Sequence, residues 1–102
     1  MSYILVFITN PSKKVANKLA LHLLKKKLIA CANIFPINSI YWWEGKIEKS
    51  REWMLIIKSS EKKFTLLKKE VKKLHPYDVP VIEKIKASAN AECEDWIKGV
   101  IK

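Results

Sequence analysis

The sequence predicts an α+β domain, and three observations carry that prediction. Four segments are apolar runs rich in β-branched and aromatic residues, as strands require, and apolar residues recur with the helical period in three others. Two of the helical segments are lysine-rich on one side only. Between the second and third strand segments, Glu44-Gly45-Lys46 has the Gly that a tight hairpin turn needs for positive φ. With 102 residues the chain is long enough for one hydrophobic core and too short for two, so residues 1–102 form a single domain.

The first strand is Tyr3–Thr9, a short run rich in β-branched and aromatic residues. Val15, Leu19 and Leu23, with Ala16, Ala20 and Leu24 beside them, form the buried stripe of the first helix, opposite Lys14, Lys18 and Lys25. Asn10 before Pro11 is its expected cap. Leu28–Trp43 and Ile47–Ser59 read as two long strands. Pro36 interrupts the first of them and removes a ladder donor, which calls for an edge position or a bulge. The second helix is expected to start at Ser60, bury Phe64, Leu67, Val71 and Leu74, and stop before Pro76. Val81–Ile85 is the fourth strand. Asn90 then caps a closing helix, with Glu92, Glu94 and Asp95 near its positive end and Trp96, Ile97, Val100 and Ile101 as its apolar residues.

Strand, helix, strand, strand, helix, strand is the ferredoxin-like βαββαβ arrangement, here with an additional C-terminal helix and a long β2–β3 hairpin. Its right-handed crossovers place both helices on one face of an antiparallel sheet. The other face should be polar in a monomer, yet it is not. In the first strand Tyr3, Leu5 and Phe7 alternate with Ile4, Val6 and Ile8; in the third, Trp53, Leu55 and Ile57 alternate with Met54 and Ile56. Both faces are apolar, which predicts a homo-oligomer that buries the uncovered one.

Composition narrows the function. The chain carries 20 Lys and Arg against 10 Asp and Glu, a formal +10, and 49% hydrophobic residues with two Gly exclude a disordered basic tail. The lysines of residues 12–27 and 61–74 account for the whole net charge, so it belongs to two helices and reads as a solvated face. No apolar run approaches a membrane span or a secretory signal core, and the expected location is the cytoplasm. Cys31 and Cys93 lie 62 positions apart, and His22 and His75 lie 53 apart, so no zinc-ligand spacing exists. Cys31 reads as a buried thiol and His22 as structural. There is no phosphate loop and no nucleophile-base constellation, so no enzyme is indicated.

Two segments stand out. Tyr41, Trp42 and Trp43 are adjacent aromatics on one strand, so they point to both faces and suit a subunit contact or the wall of an intersubunit cleft. His75-Pro76-Tyr77-Asp78-Val79-Pro80 places an imidazole, a phenol and a carboxylate on backbone stiffened by two prolines.

Ala30-Cys31-Ala32-Asn33, Tyr41-Trp42-Trp43-Glu44-Gly45-Lys46-Ile47, Ile57-Lys58 and His75-Pro76-Tyr77-Asp78-Val79-Pro80, in that order, resemble the signature stretches of the CutA divalent-cation tolerance proteins. The likeness runs from the first strand to Trp96. It implies a cytoplasmic homotrimer of ferredoxin-like subunits, similar in architecture to the PII signalling proteins, linked to tolerance of copper and other divalent metals and without an established enzymatic activity. Copper ligands described for some members correspond to Ile8, Leu74 and His75 here, and only His75 carries a lone pair. A divalent metal such as Cu(II) or Zn(II) would therefore bind weakly, at His75 with Asp78, Glu44 or Cys31 of the same or a neighbouring subunit. The intersubunit cleft is expected to be lined by Tyr41, Trp42, Trp43, Lys58 and Tyr77, the set a PII-like small-ligand sensor would use.

An RNA-binding module with the same element order is the alternative of a different class. Arg51-Glu52-Trp53-Met54-Leu55-Ile56-Ile57-Lys58 lacks the glycine and the paired aromatics of an RNA-stacking third strand, so nucleic acid is not the expected partner.

Overall fold

In the computed structural model, residues 3–101 are described; Met1, Ser2 and Lys102 lie outside the described residues. The order is β1 (Tyr3–Asn10), α1 (Lys13–Lys25), β2 (Cys31–Trp43), β3 (Lys46–Ser59), a 3-10 turn (Glu61–Lys63) leading into α2 (Phe64–Leu74), β4 (Ile82–Ala87) and α3 (Ala91–Val100). The strands form one antiparallel sheet in the order β2-β3-β1-β4, as the ferredoxin-like arrangement requires. Pro36 lies on β2, an edge strand, the position in a sheet where a residue without an N–H is tolerated.

Alternation sorts the sheet into two faces. Ile4, Val6 and Ile8 of β1 and Leu55 and Ile57 of β3 are buried beneath the helices, against Ala20 and Leu23 of α1 and Leu67 and Val71 of α2. A smaller cluster of Ala30, Ile97 and Ile101 docks α3 beside Tyr3. The two lysine-rich helices thus lie on the covered side. They are joined by Glu70, whose carboxylate meets His22 Nε2 at 2.9 Å, Lys26 Nζ at 3.2 Å and Lys73 Nζ at 3.2 Å. These three hydrogen bonds hold the Glu70 carboxyl down at about 2, against the opposing effect of burial.

Several boundaries depart from the sequence reading. Ser12, not Asn10, caps α1: its hydroxyl accepts from the Val15 N–H at 3.1 Å. Asn10 instead ends β1 fully buried, donating through Nδ2 to the Ile8 and Trp53 carbonyls at 3.1 and 3.2 Å. A strand register continuing to residue 10 leaves no room for a cap there. Leu28–Ala30 is buried but not strand, because α1 ends in a Schellman motif that turns the chain: Lys27 N–H bonds Leu24 O at 3.0 Å and Leu28 N–H bonds Leu23 O at 3.1 Å. Lys27 takes φ of 60° to do so. The β4 strand begins one residue later and ends two later than expected. Leu74, the last residue of α2, and Trp96, within α3, are exposed at 42% and 48% and do not join the core.

The β2–β3 hairpin sets the shape. The register Trp43↔Lys46 leaves a two-residue turn, Glu44 at φ 49° and Gly45 at φ 78°, both in the region a type I′ turn needs. Strands of 13 and 14 residues extend about 43–46 Å at the usual rise, which matches the 44 Å long axis. β1 reaches β3 only between Trp53 and Ser59. The remaining half, Ile37–Trp43 paired with Lys46–Glu52, is therefore a two-stranded arm.

Candidate functional site

The uncovered face of the sheet, continued along this arm, is where the singled-out residues gather. Pairing across the strands fixes which side chains share it. Leu5, Lys58 and Cys31 form one row, Phe7, Ile56 and Asn33 the next, then Met54 with Phe35, Glu52 with Ile37, Ser50 with Ser39, Glu48 with Tyr41 and Lys46 with Trp43. The face is apolar in the centre and polar toward both ends. Phe35, Tyr41 and Trp43 are exposed at 42%, 41% and 50% on it. Trp42 points to the opposite face at 70% exposure, beside Ile47 at 59%, beyond the reach of the helices. The expected cleft set therefore divides: Tyr41, Trp43 and Lys58 share the open face, Tyr77 reaches it from a loop, and Trp42 is turned away.

The loop after α2 is tied to the sheet by three linked hydrogen bonds. His75 is buried, at 7% exposure, and its Nε2–H donates to the Thr9 carbonyl at 2.8 Å. Its Nδ1 accepts the Tyr77 N–H at 3.1 Å. A carbonyl can only accept and an amide N–H can only donate, so these partners require the neutral Nε2–H tautomer. Tyr77, whose ring lies 4.7 Å from that of His75, donates its hydroxyl to Glu52 Oε2 at 2.7 Å. Burial and then the Glu52 carboxylate hold the Tyr77 phenol well above its ordinary pKa, so it remains a donor.

At the other end of the open face, Lys58 Nζ lies 3.9 Å from Cys31 Sγ and 3.5 Å from Asn33 Oδ1. Cys31 is half-buried rather than buried, because it faces the uncovered side. Both cysteines are free.

The four residues considered as metal ligands do not converge in one subunit. His75 anchors on Thr9, while Cys31 lies in the row of Leu5, four residues or about 13 Å along β1. Glu44 is in the hairpin turn at the far end of the arm, and Asp78 is exposed on the loop. Among the described residues no group of three or more His, Cys, Asp or Glu could hold a metal ion. Both nitrogens of His75 are occupied, and an ammonium stands beside the Cys31 thiol where a metal cation would have to come. The donors within one subunit do not fit a resident divalent metal.

The sequence reading missed Glu52. It is buried at 7% exposure in the same alternation as Met54 and Ile56, and an acid in that apolar row was the available signal. On the same strand Trp53, the one aromatic a stacking platform could have used, lies on the helix side with Lys13 Nζ 5.7 Å from its ring centroid.

Comparison with known proteins agrees with this architecture. The family model described as CutA1 divalent ion tolerance protein matches residues 4–100. The divalent-cation tolerance protein CutA of Thermococcus kodakarensis is 41% identical over 102 residues, covering 99% of this chain and 98% of that protein. A solved structure of the periplasmic divalent cation tolerance protein CutA from Archaeoglobus fulgidus superposes with a TM-score of 0.95 at 43% identity, covering 100% of both chains. The crystal structure of CutA1 from Oryza sativa gives a TM-score of 0.95 at 38% identity, covering 100% of this chain and 95% of that one. The first two relatives are named for divalent-cation tolerance and none for a catalysed reaction, and with a family model spanning nearly the whole chain, the protein belongs to the CutA1 divalent ion tolerance family.

Proposed function

We propose that this chain is a single-domain, non-enzymatic, cytoplasmic protein of divalent-cation tolerance that works as a homotrimer assembled through the open face and the hairpin arm. The observation that carries this reading is the arm itself. Two-stranded ribbons are marginal in water, and this one exposes Ile40, Trp42, Trp43 and Ile47 at 50–70%. Contact with further copies would cover those side chains and the Leu5, Phe7, Met54 and Ile56 centre of the open face together. Two free cysteines are compatible with a reducing compartment. Among the described residues no helix is long and apolar enough to cross a membrane. Sedimentation velocity at micromolar concentration tests the assembly: a species of three chains is expected, and a stable monomer overturns the reading.

Metal enters this proposal as a weak, intersubunit ligand. Asp78 and Glu44 offer exposed carboxylates, and Cys31 offers a thiol; His75 joins them only by giving up its bonds to Thr9 and Tyr77. Cu(II) or Zn(II), which accept imidazole and carboxylate, are the fitting ions, with dissociation constants of roughly micromolar or weaker for so few donors. Calorimetry on metal-free protein checks this, and nanomolar binding contradicts it.

A further inference from the structure

Among the described residues, Glu52 is the one buried carboxylate that the fold leaves without a cation. Glu70, the other buried acid, is met by His22, Lys26 and Lys73. Glu52 is as well shielded, at 7% exposure, in a chain with a surplus of ten positive charges. Among the described residues it has one hydrogen-bond partner, the neutral Tyr77 hydroxyl on Oε2, and no cationic group within ion-pair distance. A carboxylate removed from water is stable when a counter-charge meets it, and one phenol does not supply a charge.

The counter-charge is not available within the subunit. Arg51 and Lys49 project from the opposite face of β3, by alternation. Two ammonium groups share the open face of the hairpin with Glu52. Lys58 is held near Cys31 and Asn33, six positions away. Lys46 is six positions away in the other direction, at the tip of the arm, exposed and without an anionic partner among the described residues. Six residues of strand separate Lys46 from Glu52 by about 20 Å, so the two cannot meet in one chain. The arm does project Lys46 to where a neighbouring copy can be reached.

We propose that Glu52 is the receptor for an ammonium supplied by a second copy, that of Lys46 at the tip of its arm. This rests on the self-association proposed above and adds a specific contact to it. Base of arm to tip of arm is a heterologous contact, donor end to acceptor end, and such contacts close into a ring when the rotation between copies permits. Each Glu52 then receives one Lys46, and Tyr77, fixed through His75, holds the carboxylate oriented for it. The apolar surface supplies the bulk of the association, and the ion pair fixes which end meets which.

Charge exchange tests the pairing. Lys46 is exposed, so Lys46→Glu leaves the fold intact by circular dichroism while raising the concentration at which the assembly dissociates by about tenfold or more. Glu52→Gln, which keeps an acceptor for Tyr77, is expected to do the same. The combined Lys46→Glu and Glu52→Lys chain is expected to assemble better than either the Lys46→Glu or the Glu52→Lys chain alone. A zero-length carbodiimide cross-link, read by mass spectrometry on mixed isotope-labelled copies, should join Glu52 to Lys46 between chains. Wild-type protein that is monomeric by sedimentation refutes the underlying self-association. An assembled wild type whose Lys46→Glu and Glu52→Gln variants dissociate at the wild-type concentration, or one in which only Glu52→Gln weakens assembly, overturns the Lys46 pairing and leaves self-association standing.

Discussion

The two faces of one sheet differ in how completely the chain provides for them. On the helix side, Val6, Ile8, Leu55 and Ile57 are wholly buried, the one charged intruder is matched by three donors, and even the Ser59 hydroxyl finds the Leu28 carbonyl at 2.6 Å. On the open side, residues one position along the same strands are half-exposed, a buried carboxylate lacks its cation, and half of the longest hairpin has no third strand. The covered face is nearly finished within the subunit: among the described residues its one buried side-chain polar atom without a partner is Asn10 Oδ1. On the self-association proposed above, the open face is one half of an interface, and stability should therefore depend on concentration on one side and not on the other.

The sharpest way to break that contrast uses adjacent residues. Leu55→Ala opens a cavity under the helices and is expected to cost about 2–5 kcal/mol at every protein concentration. Ile56→Ala removes similar apolar volume from the open face, and its cost should grow with protein concentration as the assembled form becomes the reference state. Chemical denaturation at two widely separated concentrations reads both. Equal, concentration-independent losses would contradict the assignment of the open face to an interface.

A smaller effect is expected where the faces meet. His75→Ala leaves the Thr9 carbonyl and the Tyr77 N–H without their partner, at about 1–3 kcal/mol. It also frees the loop that aims Tyr77 at Glu52. Amide exchange should quicken at Tyr77 while the Val6 and Ile57 amides stay protected to the global limit. Metal binding left unchanged in His75→Ala would show that the imidazole serves the loop and not the metal.

The Glu70 clamp gives the covered face an acid limit. Its folded pKa lies near 2, below the ordinary 4.5. The stabilisation is therefore complete above about pH 5 and is lost as pH falls from there toward 2. Glu70→Gln should flatten thermal stability across that window and leave the slope above it unchanged. A wild-type melting temperature constant from pH 5 to 2 would argue against the clamp.

Much of the covered face was legible in the sequence because alternation and helical periodicity report on burial within one chain. Leu19, Leu23, Leu67 and Val71 were placed correctly, and Pro36 fell on an edge as its missing donor demands. The misplaced features were local hydrogen-bond choices that periodicity does not encode. Ser12 competes with Asn10 for the cap, and the winner is set by how far β1 stays paired with β3. The candidate site was half legible. The aromatic arm and the His75–Pro80 loop announced themselves, but the fate of the His75 nitrogens depends on a carbonyl 66 residues away. Glu52 offered a signal only as an acid in the row of Met54 and Ile56, and the contact with Tyr77, 25 residues away on the loop, is not written in any local pattern.

The smallest expected effect separates the two regions by backbone strain alone. Lys27, at φ 60°, and Glu44, at φ 49°, are the two non-glycine residues held in the left-handed region among those described. That conformation costs an L-residue roughly 1–2 kcal/mol, and glycine returns part of the gain through its freer unfolded chain. Lys27→Gly relieves the Schellman corner between Leu23 and Leu28, both buried, and should raise global stability by about 0.5–1 kcal/mol. Glu44→Asn gives the turn a residue suited to its φ, but the arm it closes opens without unfolding the core. In dilute protein its gain should therefore appear as slower amide exchange at Trp43 and Lys46 with an unchanged unfolding midpoint. In assembled protein the same substitution should raise the midpoint as well, because the arm is then part of the cooperative unit. A midpoint gain from Glu44→Asn in the dilute monomer equal to that of Lys27→Gly would mean that the arm is already continuous with the core, and that the open face needs no second copy to be ordered.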